Sequence, residues 1–358
     1  MPAADRRAVR QENPLNLEFP LTFLRTGAWI TPVDLFYVRT HFPSPRLSPE
    51  TWRLVIDGEV ERPLRLTVAD LARLPRRALT VTLECAGNRR TEFTPTPAGV
   101  PWQAGAVSTA EWEGIPLREV LGAARPHPDA CEVVLEGADR GPRPGVEGDV
   151  PFARSIPIAK ALAPETLLAD RMNGAPLPPE HGFPLRALVA GWYGMDSVKW
   201  LVRIHVTREP FRGVFQADDY QLVYPDPPGR APIPLHAMTV QSVIGWPAPG
   251  ERLPWGGVRI CGAAWAGEAR VTRVLVSAAP AGAAPAAWHE ATFVGPDAPA
   301  YAWRLWEFRW RPPHAGRYEL RVRAEDSAGR VQPDEVPWNL KGYGRNAVMR
   351  VPVEVAEP

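Results

Sequence analysis

The chain has 358 residues, and its 41 Lys and Arg against 40 Asp and Glu give a formal net charge of +1 at pH 7. With positive and negative charges so nearly equal, the chain lacks the excess of positive charge that neutralises phosphates, which excludes a nucleic-acid-binding protein. With 23% charged and 45% hydrophobic residues the composition is that of a soluble folded protein, and the length predicts two or three domains.

No stretch approaches the ~18 consecutive apolar residues of a membrane span, and residues 1–13 contain no apolar signal-peptide core. As written, the chain is therefore expected in the cytoplasm without a membrane span, and a periplasmic location stays open if an export signal was removed. Three widely spaced cysteines, Cys85, Cys131 and Cys261, form no CxxC pair. They predict neither a complete disulfide framework nor a structural zinc site.

The first two thirds of the chain alternate strand and helix signals. Residues 53–56 and 79–83 are predicted strands, and residues 67–74 a helix that opens with a capping box from Thr67 to Asp70. Two further helices are predicted at 116–124 and 157–162, each starting near a proline. The pattern indicates an α+β region.

A proline-rich segment then marks a boundary. Residues 225–234 contain five prolines, which predicts a stiff extended linker over 225–235. Beyond it, residues 317–324 and 349–355 alternate apolar and polar side chains, as a strand with one solvated face does. The C-terminal part is therefore predicted to be an immunoglobulin-like β-sandwich.

Three details of this sandwich are also predicted. Pro352 indicates an edge strand. The aromatic residues of 301–310 change phase after residue 305, which predicts a bulge. Residues 278–287 are rich in Ala, Pro and Gly and are predicted to form a loop.

Cys85 is the candidate reactive residue of the first region. It follows the predicted strand 79–83, and Arg89 and Arg90 come within five residues. Because nearby cations lower a thiol pKa, Cys85 is expected to be more thiolate-like than the other two cysteines. Without further context, a lone cysteine is more often a small buried apolar residue.

The sequence from Cys85 to Arg90, CAGNRR, resembles the molybdenum-ligand motif of the sulfite oxidase family of molybdopterin enzymes. Other segments resemble the same family in the same order: residues 36–43, 154–157, 172–186, 194–200, 302–306 and 338–341. So many matches in order are far more specific than any one short motif.

The resemblance implies a mixed α/β molybdopterin-binding domain followed by an all-β immunoglobulin-like dimerisation domain. The expected divisions are an N-terminal extension at 1–30, the cofactor domain at 31–224, the linker at 225–235 and the sandwich at 236–358. Eight of the 14 tryptophans fall in the sandwich, and aromatic residues concentrate at stable interfaces. A homodimer is therefore expected.

The resemblance also implies a cofactor: molybdenum held by two dithiolene sulfurs of one molybdopterin, two oxo groups and the sulfur of Cys85. A soft thiolate suits such a metal, and binding deprotonates the thiol. By match to the family's motifs the pterin and its phosphate are expected to be held by Tyr37, Arg39, Thr40, His41, Asp139, His181, Arg186, Ser197, Val198 and Lys199. Thr40 stands where relatives commonly have Asn, and Ser197 where some have His.

For the substrate, the resemblance implies an oxyanion pocket formed by Arg39, Arg90, Trp102, Tyr220 and Lys341. Lys341 departs from the family, because sulfite-oxidising relatives usually have Arg there and some nitrate-reducing relatives have Met. Lys341 is one of only three lysines beside 38 arginines.

The predicted function is oxidation of a small sulfur oxyanion, most simply sulfite to sulfate. No CxxCH haem motif is present, so the electrons are expected to pass to an external acceptor, a cytochrome or dioxygen. Two alternatives stay open: reduction of nitrate or of an S- or N-oxide on the same cofactor, and a cofactor-free binding or structural dimer.

Overall fold

The computed structural model describes residues 6–284 and 287–357, and most of its regular structure is β-sheet. Within this part of the chain, none of the helices has the length and apolar character needed to cross a membrane. Two regions with separate sheets follow one another along the chain.

The strands of the first region are β1 (Ala8–Gln11), β2 (Asn16–Glu18), β3 (Leu54–Gly58), β4 (Leu64–Leu66), β5 (Arg77–Glu84), β6 (Val107–Pro116), β7 (Glu132–Pro142), β8 (Asp149–Pro157), β9 (Thr166–Met172), β10 (Ala175–Pro176), β11 (Arg186–Val189) and β12 (Leu201–Thr207). They pair as β1-β2, as β10-β9-β6-β5 with β11 also on β9, and as β4-β3-β12-β7-β8. The helices are α1 (Val68–Leu71), α2 (Leu117–Ala124) and α3 (Ile158–Leu162). Short 3-10 or π turns cover Leu21–Thr26, Arg90–Glu92, Pro179–His181, Gly194–Asp196 and Phe215–Asp219.

The helix starts follow from the local sequence. Thr67 accepts a bond from the Asp70 backbone N–H at 3.1 Å, and the Asp70 carboxylate accepts one from the Thr67 N–H at 3.0 Å. This is the predicted capping box, although α1 ends at Leu71 rather than at residue 74. Helices α2 and α3 begin directly after Pro116 and Pro157.

The proline-rich connector is not a simple extended linker. Strand β13 (Gln221–Leu222) pairs antiparallel with β14 (Ile233–Pro234), so the chain turns back on itself between them. The pairing is available because Gln221 and Leu222 keep the backbone N–H groups that the prolines lack.

The C-terminal region contains β15 (Gln241–Trp246), β16 (Arg252–Leu253), β17 (Val258–Trp265), β18 (Val271–Pro280), β19 (His289–Glu290), β20 (Thr292–Val294), β21 (Arg304–Trp310), β22 (Gly316–Asp326) and β23 (Met349–Val355). They form two sheets, β15-β17-β21-β20 and β16-β23-β22-β18-β19. In β22 the apolar side chains are buried in alternation, as expected. The predicted class, an α+β region followed by an all-β sandwich, is confirmed.

Two of the detailed expectations are wrong. Strand β21 pairs with β17 without any register shift, so the phase change in the sequence is not a bulge. Leu305 and Trp306 are both buried because the strand has apolar contacts on both faces. The predicted loop at 278–287 begins later, since β18 continues to Pro280; residues 285 and 286 lie outside the described residues.

Pro352 lies near the edge of its sheet, where β23 has β22 on one side and only the two-residue β16 on the other. The segment that precedes β16 contributes one further bond there, from the Gly250 N–H to the Pro352 carbonyl at 2.7 Å.

The N-terminal segment joins the two regions through a pair of tryptophans. The Trp29 indole donates to the Trp303 carbonyl at 3.1 Å, and the Trp303 indole donates to the Trp29 carbonyl at 2.9 Å. The Trp303 backbone N–H also donates to Thr82 Oγ1 at 2.7 Å, and Trp303 has no exposed surface. This residue therefore links the extension, β5 and the sandwich.

We expect Trp303→Ala to lower the free energy of unfolding by about 3–5 kcal/mol, because it removes a fully buried ring and the hydrogen bond that its indole donates to the Trp29 carbonyl. Urea denaturation followed by tryptophan fluorescence measures the effect. Trp255→Ala is the control, since the side chain of Trp255 is 42% exposed. Equal losses in the two variants would show that the Trp29–Trp303 contact does not hold the regions together.

Candidate functional site

A cavity in the first region contains about 630 Å³ of atom-free space, part of it open to solvent. Its lining comes from separate chain segments: Phe36, Tyr37, Val38, Arg39, Thr40, His41, Leu83, Cys85, Ala86, Asp139, Phe152, Glu180, His181, Arg186, Gly194, Met195, Ser197, Lys199, Trp200 and Tyr220. Of the residues expected to hold a cofactor, only Val198 lies outside this lining.

Cys85 enters the cavity from the end of β5. Its backbone N–H donates to the Ala106 carbonyl at 2.9 Å, and its own carbonyl accepts from the Asn88 N–H at 2.9 Å. The residue is only 6% exposed. Strand and turn together hold the thiol at the cavity wall.

The predicted lowering of the Cys85 pKa is wrong for the protein without bound metal. Burial raises the thiol pKa, and the charges of Arg39 and Arg90 oppose this effect without overcoming it. The sequence shows which cations are near in the chain, but not how far the thiol is removed from water.

Buried cations line one end of the cavity. Arg186 donates to the carbonyls of His181 at 3.1 Å and Ser197 at 2.9 Å, and Lys199 donates to the Glu180 carbonyl at 2.9 Å and to Thr40 Oγ1 at 3.3 Å. These bonding partners are neutral. Burial lowers the Lys199 pKa, and the charge of Arg186 lowers it further. The same desolvation lowers the Arg186 pKa to about 10.

Two buried polar atoms beside these cations have no hydrogen-bond partner within residues 6–284 and 287–357: Asp139 Oδ1 and His181 Nε2. Burial raises the Asp139 pKa, against the attraction of Lys199. Burial and the charges of Lys199 and Arg186 hold the His181 pKa well below its usual range, so His181 is neutral. Orphaned buried polar atoms point to a ligand that completes their bonds.

A neutral hydrogen-bonded pair faces the cavity near Arg39. The distance from His41 Nε2 to the Tyr220 hydroxyl is 2.6 Å, and the His41 ring stacks on Phe152 with centroids 4.4 Å apart. Burial, followed by the charge of Arg39, lowers the His41 pKa well below its usual range. Burial raises the Tyr220 pKa well above its usual range. Either ring can donate the shared proton.

Arg90 lies behind the cavity wall rather than in its lining. Its guanidinium donates to the Val100 carbonyl at 2.8 Å and to the Lys341 carbonyl at 3.1 and 3.2 Å. A Cβ at Gly87, Gly99 or Gly342 would lie 2.6 to 2.9 Å from this side chain. Three glycines therefore leave the space that the guanidinium occupies.

Trp102 and Lys341 also lie outside the lining. Trp102 has no exposed surface, and among the described residues its buried indole Nε1 has no hydrogen-bond partner. Lys341 Nζ lies 3.8 Å from Asp219 Oδ1, and both Asp219 oxygens accept bonds from Arg143 at 2.6 Å. The Lys341 charge therefore faces a carboxylate, not the cavity centre. Of the five expected substrate residues, Arg39 and Tyr220 line the cavity.

Sequence reasoning missed several residues around the site. Phe36, Phe152 and Trp200 form apolar walls of the cavity. No local sequence pattern distinguishes them from other buried aromatic residues. Tyr343 stacks on Tyr220 with centroids 5.3 Å apart and lies under the Arg90 guanidinium at 5.2 Å. Its position between two glycines was a usable signal.

In the protein without bound metal, we expect an alkylating reagent at pH 8 to label Cys131 at least about tenfold faster than Cys85, because Cys131 is partly exposed whereas Cys85 is buried with a raised thiol pKa. Peptide-resolved mass spectrometry of iodoacetamide adducts measures both rates in one sample. Buried Cys261 is the internal control and should also react slowly. Faster labelling of Cys85 would restore the thiolate expectation.

Comparison with known proteins identifies both regions. Residues 41–215 match the oxidoreductase molybdopterin binding domain, and residues 233–356 match the Mo-co oxidoreductase dimerisation domain. The chain is 39% identical to sulfite oxidase of Gallus gallus, covering 93% of this chain and 75% of that protein. It is 40% identical to mitochondrial sulfite oxidase of Homo sapiens, with 97% of this chain and 66% of that protein aligned.

Two other similar proteins have names other than sulfite oxidase. NADH nitrate reductase 2 of Phaseolus vulgaris is 34% identical over 97% of this chain but only 42% of its own length. The structure of the sulfane dehydrogenase SoxCD from Paracoccus pantotrophus superposes with a TM-score of 0.84 and 29% identity, covering 97% of this chain and 87% of that one.

The cavity fits the molybdenum cofactor of these relatives. It presents one thiol, Cys85, to a thiophilic metal and two buried cations, Arg186 and Lys199, to a phosphate. The orphaned atoms of Asp139 and His181 can bond the donors and acceptors of a pterin ring. The alternative of a cofactor-free dimer is wrong, because this chain is a molybdoenzyme that belongs to the sulfite oxidase family of molybdopterin-dependent oxidoreductases.

Proposed function

We propose that this molybdoenzyme oxidises sulfite to sulfate and passes the electrons to an external acceptor, a cytochrome or dioxygen. The observation that carries the proposal is the position of Cys85 in a cavity that also presents Arg39 and the Tyr220 hydroxyl to an anion. Relatives named sulfite oxidase, at 39 and 40% identity, exceed the 34% of the relative named nitrate reductase.

In the proposed assignment Cys85 is the protein ligand of molybdenum. Arg186, Lys199 and His181 hold the phosphate end of the pterin, and Asp139 accepts a bond from it. Tyr37, Thr40 and Ser197 complete the enclosure through packing and hydrogen bonds, and Val198 supports the wall from outside the lining. When bound, the cofactor supplies oxo transfer and takes up two electrons, and the protein supplies binding, orientation and charge.

The residues beside Cys85 then act on the substrate anion and on protons. The reaction converts sulfite and water into sulfate, two protons and two electrons. Arg39 offers charge-assisted N–H donors to the oxyanion, and the Tyr220 hydroxyl offers an O–H donor. His41 is neutral because it is buried among cations, and when its Nε2–H donates to the Tyr220 oxygen the Tyr220 O–H is left free for the substrate. Arg90 acts from behind the wall, through its charge on Cys85.

The second candidate is reduction of nitrate or of an S- or N-oxide, which runs oxo transfer in the other direction. The relative named nitrate reductase supports it, and the cationic cavity would accept nitrate as well as sulfite. The match of residues 233–356 to a dimerisation domain supports a homodimer for either function.

We expect the purified enzyme to reduce ferricyanide, or cytochrome c, when sulfite is added, and to be slower by at least about tenfold with nitrate and a reduced dye. Cys85→Ser should lose molybdenum, measured by elemental analysis, together with sulfite-dependent turnover, because a hydroxyl replaces the thiolate ligand. Cys131→Ser is the matched control and should keep both. Faster turnover of nitrate than of sulfite would favour the second candidate, and full molybdenum content in the Cys85 variant would remove the ligand assignment.

Lys341 is proposed to tune the charge at the cavity entrance rather than to bind sulfite directly, since its ammonium faces Asp219. We expect Lys341→Met to raise the KM for sulfite about threefold at low salt with little change in kcat, because one partly exposed charge is removed. Lys341→Arg should stay within about twofold of the parent. Arg62→Met, at an exposed residue between β3 and β4, is the control for net charge. Equal KM values for the two Met variants would exclude a local role for Lys341.

A further inference from the structure

The segment from Glu84 to Arg90, which carries Cys85, is held largely by the C-terminal sandwich. The Gly344 N–H donates to the Ala86 carbonyl at 2.8 Å, and Arg89 donates to the Ala347 carbonyl at 2.5 Å. The Arg90 guanidinium donates to the Lys341 carbonyl. The two domains therefore meet on the chain segment that borders the cofactor cavity.

Glu84 begins this segment, and its carboxylate accepts hydrogen bonds from three side chains. Its carboxylate is 2% exposed and accepts a bond from Trp265 Nε1 at 2.8 Å, one from Gln241 Nε2, and one from Asn88 Nδ2 at 3.0 Å. Trp265 lies on β17 and Gln241 on β15, so two of these donors belong to the sandwich. Asn88 belongs to the turn that follows Cys85.

The orientation of all three donors is fixed by other bonds. Asn88 Oδ1 accepts from the Ala106 N–H at 3.0 Å, so its amide nitrogen must face Glu84. Gln241 Oε1 accepts from Arg89 Nη1 at 3.2 Å, with the same consequence. An indole N–H can only donate. Three donors thus converge where a carboxylate supplies two acceptor oxygens, and a glutamine would point its own N–H groups at one of them.

Arg89 adds a second constraint on the same segment. Its φ of 64° lies in the left-handed region, which is unfavourable for a residue with a Cβ. The side chain is fully buried and bonds Gln241, Ala347 and Glu92. The sandwich therefore holds both ends of the turn that contains Cys85.

We propose that Glu84 is a positioning residue through which the C-terminal domain sets the place of Cys85 in the cofactor site. The role in the site rests on the proposed function, in which Cys85 is the molybdenum ligand. Glu84 directly precedes Cys85 in the chain, and its partner Asn88 donates its backbone N–H to the Cys85 carbonyl at 2.9 Å, so the Glu84 bonds hold the backbone on both sides of the thiol. The domain that is matched as a dimerisation domain thereby also acts on the metal ligand.

Hydrogen–deuterium exchange of the full chain, produced without cofactor and read by peptide-resolved mass spectrometry at pH 8, tests the positioning. Glu84→Gln should speed exchange of the peptide covering residues 84–92 by about tenfold, which corresponds to ~1.4 kcal/mol of local opening free energy. Trp265→Phe keeps an aromatic side chain and leaves Glu84 itself unchanged but removes one donor, so it should act in the same direction with a smaller effect. If Glu84→Gln does not fold, exchange in Trp265→Phe tests the proposal by itself.

Glu268→Gln is the matched control. Glu268 accepts bonds across the domain interface from Trp192 Nε1 at 3.2 Å and Lys160 Nζ at 2.7 Å, but it does not touch the Cys85 turn. It should leave exchange of residues 84–92 within about twofold of the parent. Equal exchange of that peptide in the Glu84 and Glu268 variants would overturn the proposal, because general loosening of the interface would then explain the effect.

A second readout uses the cofactor-loaded protein. Displacement of Cys85 should shift the visible charge-transfer band between the cysteine sulfur and molybdenum in Glu84→Gln, and not in Glu268→Gln. If exchange rises while the band stays in place, Glu84 stabilises the turn without positioning the ligand, and the proposal is wrong. Absence of sulfite turnover in the parent enzyme would instead refute the proposed function and leave the exchange result standing.

Discussion

Positive charge buried without an equal amount of negative charge is the constraint around which the cofactor domain is built. Arg186 and Lys199 are desolvated and bonded mainly to backbone carbonyls, and their neighbour His181 stays neutral under their field. Such an arrangement is unfavourable in isolation, since the charged forms have lost water without gaining a counter-ion. It becomes favourable when an anion enters, so the cavity is arranged for an anionic ligand before one arrives.

The surrounding structure keeps this charge in place. Arg186 starts β11, and Lys199 lies between Val198 and Trp200, whose carbonyls accept bonds from the Ala187 and Ala138 N–H groups at 2.8 Å. Backbone hydrogen bonds therefore hold the chain at both cations. Asp196, the last residue of the 3-10 turn Gly194–Asp196, forms a buried ion pair with Arg154 at 2.8 Å. Its carboxylate therefore pairs with a cation other than Arg186 and Lys199.

Much of the fold could be predicted because its signals are local. The capping box at Thr67 and the alternation of β22 depend on residues a few positions apart, and both are observed. The wrong expectations concern effects that act across the fold. The pKa of Cys85 depends on burial by segments far away in the chain, and the phase change near Leu305 reflects a strand with contacts on both faces. Neither appears in the neighbouring sequence.

In the candidate site, too, local sequence motifs could be predicted and contacts between distant parts of the chain could not. Motif resemblance correctly placed Cys85, Arg186 and Lys199 around one cavity. It could not show that the Lys341 ammonium faces Asp219, because that contact joins two domains. Glu84 does not stand out in the sequence, because its three donors come from separate segments of the chain.

The contacts of the Arg90 guanidinium also bear on the order of events during synthesis. The carbonyl that it binds belongs to Lys341, and the neighbouring Ala86 carbonyl is bonded by Gly344, both near the end of the chain. A ribosome makes the cysteine turn long before these residues exist, and domains that form early wait for later ones to complete their shared surfaces. The turn that contains Cys85 can therefore close fully only after residues 341–347 have left the ribosome.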